Sequence, residues 1–273
     1  MRQRQELERR LRSLEALGAT VGAMKSLSAH HFREIRASVE PARLYRQGID
    51  RMIEWSRPAP VEGAGPQGLI VLGSELGLCG AYNARVAGAA ARRRAELGEG
   101  PTLCVGRRAG LLLVHRGVRA NRVYPGLARS SGIGSLLLRL AEDTLQLHAT
   151  AGVLAFEVVS SRFEGVGSDT PTVTRLLPAR AGAVERGPSG RYVSGDHLAA
   201  AVVREFLYIT LYDLLLDALA SEHGARIVAT QSAERWLRDR TSQLRRHLAS
   251  ARREAGTQEV IEIAAGARAR LPR

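Results

Sequence analysis

Lysine is almost missing from this chain. Lys25 stands alone among 40 basic residues, the rest being arginine, and they leave a formal net charge of +13. A phosphate-binding P-loop needs a lysine after glycine, and Lys25 follows Met24, so that motif is excluded. Aromatic residues make up 4% of the chain, too few for a basic, aromatic-interleaved patch that stacks on single-stranded nucleic acid. Two cysteines, Cys79 and Cys104, give no disulfide framework and no CxxC pair. No apolar run reaches the ~20 residues that span a bilayer. The start, MRQRQELERR, is too charged for a signal or transit peptide, so the protein is expected to remain where it is made. Seven histidines are scattered apart from the adjacent pair His30-His31; with no HExxH spacing, no metal site is expected. Proline is absent between Pro188 and Pro272.

That last gap organises the chain. Residues 194–273 read as one helix, capped by Ser194 or Asp196. Its middle carries Leu237, Thr241, Leu244, Leu248, Ala251, Ala255 and Gln258 at alternating steps of four and three, a narrow coiled-coil seam. At 1.5 Å per residue the helix would be roughly 100 Å long, against a radius of gyration of about 19 Å for a compact chain of this size. It must protrude and pair with another helix. Residues 1–57 supply the partner: Leu7, Leu11, Leu14, Gly18, Val21, Lys25, Ser28, Phe32, Ile35 and Val39 repeat the same spacing. A kink is expected at Pro41.

Between these helices, after a linker at 58–68, short β-branched runs alternate with helical ones. Strands are expected at 69–72, 102–105, 153–161 and 170–177, and helices at 82–97, 108–116 and 133–149. The fold class is thus α/β: a long antiparallel coiled coil of the terminal helices with a small, open, Rossmann-like sheet domain inserted at 68–193. The turn Gly73 to Gly80 is glycine-rich and leads from strand to helix, but lacks the G-x-G-x-x-G spacing of a dinucleotide site. Glu222-His223 is expected on a solvated helix face. Besides a non-catalytic shaft, two functions stay open on these residues: an α/β nucleotide-binding enzyme using Gly73–Gly80, and a basic coiled-coil protein that binds duplex phosphates.

Several stretches carry a resemblance. Gly256-Thr257-Gln258-Glu259-Val260-Ile261-Glu262-Ile263-Ala264-Ala265-Gly266-Ala267 is similar to the signature (I/V)TQELTEIxxGA, departing at Gly256. Leu219 to Ala229 is similar to LASEQAARMVA, and Gly77-Leu78-Cys79-Gly80 with Asn83 to GLCGxxN. Val159 to Phe163, with Pro171 and Leu176-Leu177-Pro178, matches a further segment, and Ala23-Met24 and Pro41 fall in register. The chain resembles the gamma subunit, the central rotor shaft, of F-type ATP synthases. That resemblance implies no catalytic residue and no cofactor. It implies a place at the cytoplasmic face of a bacterial inner membrane, without insertion into the bilayer and without nucleic acid. The partners implied are three alpha and three beta subunits, the epsilon subunit and the c-subunit ring. Contact with the alpha/beta ring is expected at Met24, Arg252, Thr257, Gln258, Glu259, Ala267 and Leu271, and a foot on the c ring at Tyr212 and Glu222. Where the family has lysines this chain has Ala19-Thr20-Val21-Gly22, where it has a basic run this chain has His30-His31-Phe32, and Glu75-Leu76 replaces Asp-Arg. These departures fit a divergent shaft, such as one from a sodium-translocating complex, although the coupling ion is chosen in the c ring.

Overall fold

The computed structural model describes residues 2–56, 65–179 and 195–269. In chain order the elements are α1 (Arg2–Ser56), β1 (Gln67–Leu72), α2 (Tyr82–Leu97), β2 (Thr102–Val105), α3 (Arg107–His115), β3 (Arg122–Tyr124), α4 (Ile133–Thr150), β4 (Ala155–Gly165), β5 (Ser168–Leu177) and α5 (Gly195–Ala269). Pro41, where a kink is expected, lies inside α1, which runs through it as one helix. The proposed cap Ser194, most of the 58–68 linker and Leu271 lie outside the described residues. Among the described residues, no helix is long and apolar enough to cross a membrane.

The chain forms two compact units whose boundaries fall inside the terminal helices. One comprises residues up to Ser26 and from Thr230 onward; the other runs from Leu27 to Ala229. This differs from a division at the helix ends, because α1 beyond Leu27 and α5 before Ala229 pack on the sheet.

In the larger unit the sheet order is β3-β2-β1-β4-β5. The first four strands are parallel and β5 returns antiparallel along β4. Both faces are covered, as a parallel sheet requires. Successive residues of β1 point to opposite sides. Leu69 and Val71 join Val86, Ala87 and Ala90 of α2 and Ala109 and Leu113 of α3. Ile70 and Leu72 join Leu136 and Leu140 of α4, Ile35 and Val39 of α1, and Leu207, Leu211 and Leu215 of α5. The four-three stripe of α1 therefore changes duty along its length, and its Ile35–Val39 stretch serves the sheet core. Strand β3 was not expected from the sequence. It has three residues, two of them exposed, so its sequence carries no buried run to reveal it.

The turn after β2 shows how tightly the sheet is joined to its helices. Gly106 has φ +91°, and a Cβ there would lie 2.4 Å from the Ser74 carbonyl oxygen. Gly48 in α1 has nothing within 4 Å of the same added atom. In urea titrations, Gly106→Ala is expected to lose at least ~1–3 kcal/mol through backbone strain and collision. Gly48→Ala is expected to gain about 0.5–1 kcal/mol from helix propensity.

Candidate partner-binding surface and its anchor

The smaller unit is a pair of antiparallel helices. As numbering rises along α1 through Glu8, Glu15 and Lys25, it falls along α5 through Arg252, Arg245 and Glu234. Arg252 Nη2 donates to Glu8 Oε1 at 3.0 Å, Arg245 Nη2 to Glu15 Oε1 at 2.7 Å, and Lys25 pairs with Glu234. Val21, Leu237, Leu244 and Leu248 are buried beside this ladder. The seam is interrupted at Gly18, which has no atom within 4 Å of an added Cβ and opens a groove between Leu14 and Leu237.

The register sets where this pairing stops. With Glu8 opposite Arg252, the first residue of α1 reaches only to about Gln258, while α5 continues to Ala269. Every side chain from Arg252 to Ala265 is exposed. Among them, Val260 is 65%, Ile261 56% and Ile263 67% exposed. The last seam position, Gln258, thus stands where the pairing ends, and the helix beyond it meets no partner helix within the described residues.

The residues expected at the alpha/beta ring gather here in part. Arg252 is occupied by Glu8. Thr257 Oγ1 donates to the Arg253 carbonyl at 2.9 Å, and Gln258 Nε2 to Glu262 Oε1 at 3.1 Å. Glu259 is exposed and Met24 half-buried on the paired stretch. Ala267 lies on the helix backbone, without a described side chain.

Glu222 and His223 overturn the expectation of a solvated face. They are 4% and 3% exposed, in the larger unit. Glu222 Oε1 accepts from Arg226 Nη2 at 2.6 Å, and the His223 Nδ1 lies 3.4 Å from Arg226 Nη1. A carboxylate enclosed in this way has no face to offer a c-ring foot, so that role is corrected for Glu222. Charged residues looked solvated from sequence because their compensating partners come from the same helix and a distant turn. Tyr212 is half-buried.

Arg226 also explains the glycine-rich turn. Its Nε donates to the Gly77 carbonyl at 3.1 Å and its Nη2 approaches that of Leu76 at 3.4 Å. Asn83 grips the other side, accepting from the Ser74 amide at 3.0 Å and donating to Ser74 Oγ at 2.7 Å. Glu75 accepts from the amides of Gly126 at 2.9 Å and Arg107 at 3.1 Å. Through Ser74 and the Leu76 and Gly77 carbonyls the turn ties β1, α2 and α5 together. Burial drives the Cys104 thiol up to about 12, so it has no nucleophilic character.

A family model described as ATP synthase matches residues 3–269. The ATP synthase gamma chain of Granulibacter bethesdensis is 31% identical over 297 residues, covering 96% of this chain and 98% of its own length. This chain belongs to the ATP synthase gamma family. A second gamma chain of that family, from Desulforamulus reducens, is 25% identical and covers 97% of this chain and 98% of its own length. Among solved structures, a chain of the Euglena gracilis mitochondrial ATP synthase in an OSCP/F1/c-ring assembly aligns with TM-score 0.69 at 15% identity, over 98% of this chain and 94% of that one. A chain of the Tetrahymena thermophila mitochondrial central stalk and c ring gives 0.59 at 18% identity, over 78% and 99%. Those likenesses show the shared gamma-type fold of terminal helices and five-stranded sheet.

The buried anchor has a pH signature. Burial raises Glu222 to about 7 despite Arg226, so its ionised form opposes folding, and stability falls as pH rises from about 4.5 to 7. Burial, then Arg226 and His31, lower His223 to about 4, so stability rises from about pH 4 to 6.5. The two slopes oppose each other. In Glu222→Gln the anchor keeps only the histidine slope, and urea unfolding should show stability climbing relative to the native protein by up to about 1.4 kcal/mol per pH unit between pH 4.5 and 6.5. Arg226→Ala leaves Glu222 buried without its cation and is expected to cost about 3–5 kcal/mol in the same titration at pH 7.5.

Proposed function

We propose that this chain is the central-stalk rotor of an F-type ATP synthase: a non-catalytic subunit that couples ion flow through a membrane ring to ATP synthesis or hydrolysis elsewhere. The observation that carries the reading, beside family membership, is the end of α5. Its Arg252–Ala265 segment is exposed throughout and continues past the start of α1. Isoleucine and valine on a single unpaired helix need a cover that the described residues do not provide.

The partners that fit are a collar of three alpha and three beta subunits around this helix, and the epsilon subunit with the c ring at the sheet-bearing unit. Such a complex would lie at the cytoplasmic face of a bacterial inner membrane. A lone helix has no three-fold symmetry, so each orientation presents a different surface to each of three surrounding sites. Met24, Arg252, Thr257, Gln258, Glu259, Ala267 and Leu271 are the proposed contacts with the collar, and Tyr212 the proposed contact with the c ring. Exposed arginines of the paired stretch, Arg238, Arg240 and Arg246 among them, suit acidic levers on beta through forked, charge-assisted hydrogen bonds. Buried leucines and cross-helix ion pairs hold the two helices in register, which lets a twist applied to one reach the other.

Co-expression with the alpha and beta chains of the same organism tests this reading. The expected result is a stable complex on size exclusion with ATPase activity. Deletion of residues 252–273 should weaken that activity, while a chain eluting alone and ignoring both partners would refute the rotor. The double variant Val260→Asp/Ile263→Asp should leave the melting of the isolated chain unchanged. In the complex it should cost tenfold or more in ATP-driven turnover, since burying one such side chain is worth about 1.5–3 kcal/mol.

A further inference from the structure

We propose that His30, His31 and Glu34 of the larger unit form a binding site for one divalent transition-metal cation, zinc being the species that suits them best. Sequence spacing hid the site, because adjacent residues diverge by about 100° around a helix. Glu34 removes that difficulty. It lies four residues from His30 and three from His31, the two spacings that bring helix side chains together. One carboxylate oxygen is 3.5 Å from His30 Nε2 and the other 3.2 Å from His31 Nδ1. The two imidazole rings are 5.4 Å apart between centroids. All three ligand atoms lie within 4.8 Å of one another.

These distances match a metal's demands. Zinc bonded at about 2.0–2.1 Å in a tetrahedron keeps its ligand atoms roughly 3.3 Å apart; His31 Nδ1 is already 3.2 Å from one Glu34 oxygen, and His30 Nε2 is 3.5 Å from the other oxygen of the same carboxylate. Closing the third side takes a rotation of His30, which is exposed and free to swing. His31 is the fixed member: it is buried and its ring packs 5.6 Å from that of His223. Two imidazoles and one carboxylate favour zinc and its late transition-metal neighbours over magnesium or calcium, which take oxygen alone. Glu34 is an exposed carboxylate within hydrogen-bond distance of His31 Nδ1. Arg129 also acts on that carboxylate, a competing cation that sets a ceiling on affinity. Three protein ligands with an open side leave a fourth position for water or for a donor from another chain. This inference is independent of the rotor reading.

The test uses the full-length chain, stripped with chelator and dialysed against Zn²⁺, with bound metal counted by mass spectrometry and affinity measured against a chromophoric chelator. Cobalt(II) replaces zinc in a parallel sample to report ligand number and type by its visible absorption. The variants His30→Ala and Glu34→Gln change exposed side chains only, and circular dichroism checks their helix content. One zinc per chain, a tetrahedral cobalt spectrum, and affinity at least tenfold weaker in both variants would establish the site. No retained zinc would overturn it. So would zinc held equally well by either variant, since the site needs all three ligands.

Discussion

A single buried guanidinium joins the glycine-rich turn to α5 in the larger unit. Arg226 is the largest fully buried side chain of the described residues, and burying such a charge is unfavourable unless its donors are answered. The answer comes from Glu222 one turn earlier and from two carbonyls of the Gly73–Gly80 turn. The turn therefore depends on α5 for acceptors' partners, and α5 depends on the turn to make its buried charge tolerable. Around this point the hydroxyl of Tyr82 donates to the Ala218 carbonyl and Ser221 to that of Ser161, tying α2 and β4 to the same stretch of helix. Lower on the helix, Arg43–Asp217 and Arg46–Asp213 link α1 to α5, and burial raises the Asp217 carboxyl even with Arg43 beside it.

Each terminal helix thus carries two surfaces written in one sequence. Along α5 the apolar residues are dense between Leu207 and Ala225, where α5 enters both sheet-side cores, and thin to one seam residue per three or four from Leu237 to Leu248. A helix covered on most sides needs apolar residues on most sides, whereas a helix with one partner needs a stripe. The change in density records how many neighbours each segment has, and beyond Gln258 it records none among the described residues.

Much of this was readable without coordinates. The periodicity of the two ends gave both long helices, and α2 and β2 lie where the sequence places them, at 82–97 and 102–105. Those elements are bounded by Gly80, Gly98, Pro101 and Gly106, strong local punctuation. Three features resisted. Strand β3 is too short and exposed to leave a pattern. The burial of Glu222 and His223 depends on carbonyls about 150 residues away, which no local window contains. The convergence of His30 and His31 depends on a carboxylate whose role as a bridge appears only once the helix is drawn in three dimensions. The surface at 252–265 is marked by family likeness; its exposure is read from the structure.

The helical pair also has a history within the ribosome's timescale. Glu8 and Arg252 are 244 residues apart in sequence. At about 5–20 residues per second of synthesis, the first turns of α1 are made roughly 12–50 s before the residues that will cover them. Throughout that interval Leu7, Leu11, Leu14 and Val21, on a segment rich in arginine, lack the α5 residues that run beside them in the folded pair. The scarcity of bulky apolar groups at Gly18, Gly22 and Lys25 then takes on a second meaning: a weaker stripe is less adhesive to other nascent chains while it waits.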